Sequence, residues 1–170
     1  MNDATGTPRI VVGMNDSQGA RWALAWAIGE ARLRRMPLFV VHALDIAART
    51  GRRAGSRGPS TMAEAGALLA AIVDEVADGP PEGIETRAGV SLGAPGPVLV
   101  RTARENDLLV IGRGSRAFHT SGVARHCQRH ARATVVSVAR PCTADLAGPG
   151  AGQGHRFWDV LLGWSRSALG

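Results

Sequence analysis

Lysine and tyrosine are both absent from the 170 residues, so all 20 basic side chains are arginines. Without lysine there is no Walker-type Gly-Lys-Ser loop, and the commonest phosphate cradle of nucleoside triphosphatases is excluded. Aromatic side chains are scarce, with three phenylalanines and four tryptophans. A formal net charge of +6 would suit an anionic surface, but the arginines are scattered and few rings could stack bases, so no specific nucleic-acid module is expected. The two cysteines, Cys127 and Cys142, stand outside any Cys-x-x-Cys or His-rich spacing, which argues for reduced thiols and against a structural metal. No apolar run approaches the roughly 18 residues that cross a bilayer, so no membrane span is expected. The first nine residues lack the basic start and apolar stretch of a secretory signal, and the expected location is the cytoplasm. Neither a catalytic triad nor a carboxylate pair can be assembled.

What is present is a regular alternation of strands and helices. Arg9 to Gly13 is a short β-branched run without alternation, the pattern of a strand covered on both faces. Asp16 or Ser17 can cap a helix to about Arg35, along which Ala20, Leu24, Ala27, Ile28 and Ala31 recur at helical spacing. A second buried-type strand spans Leu38 to His42, and strand, helix, strand is the right-handed crossover unit. Residues 45–60 have no periodicity and read as a mobile loop. A helix from about Thr61 to Ala77 carries Leu68, Leu69, Ile72 and Val76, and a weaker strand follows from Ile84 to Val90. Pro95 or Pro97 opens a helix to about Glu105, and Asp107 to Ile111 is the clearest strand. A Gly-containing loop leads to a helix from about Ser121 to Ala131, then a strand from Thr134 to Val138. This alternation predicts an open, doubly wound parallel sheet of five strands. Such sheets take ligands beyond the carboxyl ends of their strands, where strand order reverses, and the loops after Gly13 and Gly112 are the candidates.

The segment Ile10-Val-Val-Gly-Met-Asn-Asp-Ser17 ahead of an Ala- and Trp-rich helix, with Val40-Val-His42 after it, resembles the opening half of a universal stress protein domain. The second half resembles it more closely, in Gly93-Ala-Pro-Gly-Pro-Val-Leu99, Glu105 to Gly112, Gly122 to Ala131 and Thr134 to Val138, in order. The resemblance covers about residues 8 to 140 and implies an adenine-nucleotide alpha-hydrolase-like sheet of strand order 3-2-1-4-5. It implies a stress-associated regulatory or binding protein and a homodimer paired through Thr134 to Val138, a strand that would otherwise be an open edge.

In nucleotide-binding members of that family, an acid after the first strand holds adenosine. A pattern of Gly, two spacers, Gly, nine spacers and Gly with Ser or Thr follows the fourth strand. The resemblance thus places a candidate ATP site at Gly13, Asn15, Val41, Gly112, Gly114, Ser121, Gly122 and Val123. Glycines let backbone N–H groups reach phosphates, and a hydroxyl at the next helix N-terminus would meet an anion there. This sequence departs from the pattern. Asn15 stands where the acid is expected, Gly114 comes after one spacer, and Ser121-Gly122 closes a shortened loop holding Arg116, Phe118 and His119. Asp16, one residue late, reads as a helix N-terminal charge. The expectation is a degenerate site that binds ATP weakly or not at all. The alternative is an ATP-binding member with weak hydrolysis or phosphotransfer.

Other residues draw blander readings. His126 and His130 have the i, i+4 spacing of metal ligands, with His119 and Cys127 nearby, but Arg125, Arg129 and Arg132 crowd the same helix and favour a solvated basic face. Ser115, Thr120 and Ser121 read as turn hydroxyls, Cys127 as a small core residue, and Trp22 with Trp26 as a packed pair on one helix face. Residues 1–140 form the expected domain, 141–154 a linker of small residues, and 155–170 an amphipathic C-terminal helix. With Phe157, Val160, Leu161 and Trp164 on one side, that helix is expected to dock on this domain or on a protein partner.

Overall fold

The computed structural model of the chain describes residues 6–46, 59–77, 83–113 and 122–139. The elements run β1 (Ile10–Met14), α1 (Gln18–Arg34), β2 (Leu38–Leu44), α2 (Met62–Ala77), β3 (Thr86–Leu92), α3 (Pro95–Thr102), β4 (Leu108–Gly112), α4 (Gly122–His130) and β5 (Thr134–Val138). The five strands form one parallel sheet in the order β3-β2-β1-β4-β5, as the resemblance implied. The loop expected over 45–60, apart from its ends, and the linker and C-terminal helix expected beyond residue 140 lie outside the described residues.

Strand alternation assigns the two faces. Val11, Val41, Leu109 and Ile111 join Val98, Leu99, Ala124 and Cys127 in a core beneath α3 and α4. Ile10, Val12, Leu38, Val40 and Val110, of opposite parity, are buried on the other side, where α1 lies against β1 and β4 and α2 against β2 and β3. Both faces are covered, which explains why the central strands read as unbroken apolar runs. Truncating a fully buried side chain such as Leu109 to alanine is expected to cost about 2–5 kcal/mol.

Local chemistry sets the ends of the helices. Ser17 is the N-cap of α1, its hydroxyl accepting the Ala20 N–H at 3.2 Å. Thr61 and Glu64 form a capping box on α2: Thr61 Oγ1 accepts the Glu64 N–H, and the Glu64 carboxylate accepts the Thr61 N–H. Buried on α2 are Ala65, Leu69, Ile72, Val73 and Val76, while Leu68, expected inside, is only half-buried. Pro95 opens α3 as expected, but α3 ends at Thr102 rather than near Glu105. The cause is Asp107, whose carboxylate accepts the Arg104 N–H at 2.9 Å and fixes a turn there. The same buried carboxylate accepts the Arg9 N–H at 3.1 Å and Arg9 Nε–H at 3.0 Å, tying the start of β1 to the start of β4. The third strand lies two residues later than expected, since Leu38 aligns with Thr86 and the segment has no apolar run to mark its limits.

Candidate functional site

Strand order reverses between β1 and β4, and a crevice of about 260 Å³ opens at their carboxyl ends. Of the residues expected there, Gly13, Asn15, Val41, Gly112 and Val123 line it together. Gly122 is exposed at the start of α4 and is not part of the lining. Gly114 and Ser121 lie outside the described residues. The sequence reading missed Met14, Ala43, Leu99 and Ile111, which make the walls apolar. Strand alternation carried a signal for two of them: Ala43 and Ile111 share the face of Val41 and Gly13.

The two glycines at this crevice have packing roles on opposite faces of the sheet. A methyl group on Gly13 would stand 2.7 Å from Leu99 Cδ1 in α3. One on Gly112 would run into the backbone of α1, at the Gly19 carbonyl oxygen and 2.7 Å from Ala20 N. Gly112 was expected to let the backbone approach phosphates; the structure shows in addition that it lets β4 meet the backbone of α1. The reading from sequence missed the partner, Gly19.

Few polar side chains face the crevice. Ser17 donates its hydroxyl hydrogen to Asn15 Oδ1 at 2.6 Å while its oxygen accepts the Ala20 N–H. The Asn15 carbonyl is thus engaged in bracing the start of α1, and its amide nitrogen remains a donor. Asp16 turns away, paired with Arg21 at 2.9 Å, and Arg21 also reaches Glu75 of α2 at 3.3 Å. This agrees with the reading of Asp16 as a charge at the helix start. Behind the crevice, buried His42 bonds through Nδ1 to the Met14 carbonyl at 3.1 Å. A carbonyl can only accept, so Nδ1 carries the proton, and burial holds the ring's pKa below its ordinary value of 6.5.

Among the described residues no group of three His, Cys, Asp or Glu side chains could hold a metal ion, and no helix is long and apolar enough to cross a membrane. The His126 and His130 rings stand 4.5 Å apart on α4, and Cys127 between them is fully buried against the sheet, the core position expected of it.

The fold is shared with solved structures. A universal stress protein from Archaeoglobus fulgidus superposes with a TM-score of 0.57 at 26% identity, over 76% of this chain and 97% of that one. A universal stress protein in complex with cAMP gives a TM-score of 0.58 at 21% identity, over 79% and 98%. The Archaeoglobus fulgidus protein in complex with dAMP gives 0.52 at 24% identity, over 76% and 96%. No curated protein matches the chain. The sequence pattern of the universal stress protein family matches residues 6–139, and the chain belongs to that family.

Proposed function

We propose that this protein is a stress-associated regulatory protein that acts by binding, and that its crevice takes adenine nucleotides only weakly. Two solved structures of its fold carry cAMP and dAMP, which makes an adenine nucleotide the ligand class to consider. The walls made by Met14, Val41, Leu99 and Ile111 suit the flat apolar faces of a purine. The polar side does not match that fit. The carrying observation is the Asn15 to Ser17 hydrogen bond: the residue at the place of the family's acid is neutral, and its carbonyl already accepts a hydroxyl. A neutral hydrogen bond is roughly half as strong as one to a carboxylate. An Asn15→Asp variant of the full chain tests this by calorimetry with ATP. Affinity should rise about tenfold, the difference between a neutral and a charged acceptor. Unchanged affinity would remove Asn15 from the account.

The reading includes a cytoplasmic homodimer joined along Thr134 to Val138. The place of β5 at the sheet edge, paired on one side by β4, supports it. It also treats residues 1–140 as the working domain, with 141–154 as linker and 155–170 as a helix that docks on protein.

A further inference from the structure

At the opposite end of the sheet from the crevice, where β4 and β5 begin, lies a second cleft of about 420 Å³. Arg101, in the last turn of α3, and Arg104, just beyond it, form one side. His130, the last residue of α4, and Arg132, in the turn into β5, form the other. Glu105 is the one exposed carboxylate in the lining. The other acid there, Asp107, is buried and engaged by Arg9 and by the Arg104 backbone, so its charge is already answered. Arg21 pairs with Asp16 and Glu75, Arg34 with Glu30, and Arg87 with Glu85. Among the described residues, no ion pair is formed by Arg101, Arg104 or Arg132.

Helix dipoles explain part of this charge. Arg101 and His130 complement the carboxyl ends of α3 and α4. Arg104 and Arg132 lie past those ends, in connections, and the last carbonyl of α3, Thr102 O, already accepts from Arg9 at 2.7 Å. Those two guanidiniums therefore bring to a concave surface a charge that the helix ends do not require. Guanidinium forks match phosphate oxygens in pairs, and a concave basic surface concentrates anions. Three guanidiniums call for a ligand with more than one negative charge, and the cleft's size limits it to a small molecule. The geometry points to a second ligand site, separate from the nucleotide crevice, for a small polyanion of the pyrophosphate class, gripped by Arg101, Arg104 and Arg132.

The test uses the full chain and inorganic pyrophosphate, titrated by calorimetry at low ionic strength. Two double variants remove equal charge: Arg104→Gln with Arg132→Gln inside the cleft, and Arg125→Gln with Arg129→Gln on exposed positions of α4 outside its lining. The expected result is saturable 1:1 binding that the cleft pair weakens at least about tenfold and the control pair less than about twofold. Excess adenosine should leave the pyrophosphate affinity unchanged. Absence of saturable binding, equal losses in the two variants, or competition by adenosine would each overturn the assignment. So would a single-stranded oligonucleotide that binds more tightly than pyrophosphate and is weakened equally by both pairs, since that marks a diffuse nucleic-acid face. Every one of these outcomes is independent of how the crevice handles ATP.

Discussion

Gly19 and Gly112 hold helix α1 and the end of strand β4 in direct backbone contact, each leaving room where a Cβ would collide with main-chain atoms across that contact. Gly19 would strike the Arg113 carbonyl oxygen and Gly112 the Gly19 carbonyl oxygen. Backbone cannot step aside as a flexible side chain can. This contact brings the start of α1 against the end of β4 and so shapes the crevice. Gly112→Ala should therefore destabilise the fold by about 1–3 kcal/mol or more in urea unfolding. Gly66 of α2, where an added Cβ meets nothing within 4 Å, gives the opposite expectation: Gly66→Ala should stabilise by about 0.5–1 kcal/mol. A Gly112→Ala protein as stable as the parent would show that the contact relaxes without cost.

Cys127 is fully buried, and burial pushes its thiol from an ordinary 9.0 up to about 11. The folded state holds this proton more tightly than the unfolded chain, so its contribution to stability is complete below pH 9 and is lost as pH rises toward 11. In a Cys142→Ser background, a thiol reagent at pH 8 should leave the native protein unmodified and label it only when denaturant is added. Rapid labelling without denaturant would mean that α4 opens from the sheet.

The pH dependence of His42 has the opposite sign. Burial lowers its pKa, which the hydrogen bond to the Met14 carbonyl only partly opposes. Its neutral form stabilises the fold above pH 6.5, and that stability is lost as pH falls and the unfolded chain takes up the proton. His42→Gln keeps a donor for Met14 O without a titrating ring. Urea midpoints at pH 7.5 and pH 5 should separate more for the parent than for this variant, and equal separations would contradict the role given to His42.

The central fold was legible because Ile10–Met14, Leu38–Leu44 and Leu108–Gly112 are covered on both faces and read as predominantly apolar segments, with His42 the one polar side chain among them. Edge strand β3 was placed two residues early, since Arg87 and Ala88 are exposed and the segment carries no apolar run. The crevice was half legible. Gly13, Asn15 and Val41 came from the family resemblance, whereas Leu99 enters from a helix distant in sequence, and periodicity within one element does not reveal it. For the same reason the packing role of Gly112 was not legible. Its constraint comes from Gly19, in an element it meets only after the sheet has formed.

The measurement that bears most directly on the account is calorimetry of ATP with the full, unmodified chain. With a neutral Asn15 whose carbonyl is held by Ser17, the dissociation constant should be on the order of 0.1 mM or weaker. An affinity near about 1 µM that persists in the Arg104→Gln, Arg132→Gln variant would mean that the crevice grips ATP without a carboxylate, and the reading of a weakened nucleotide site would be wrong.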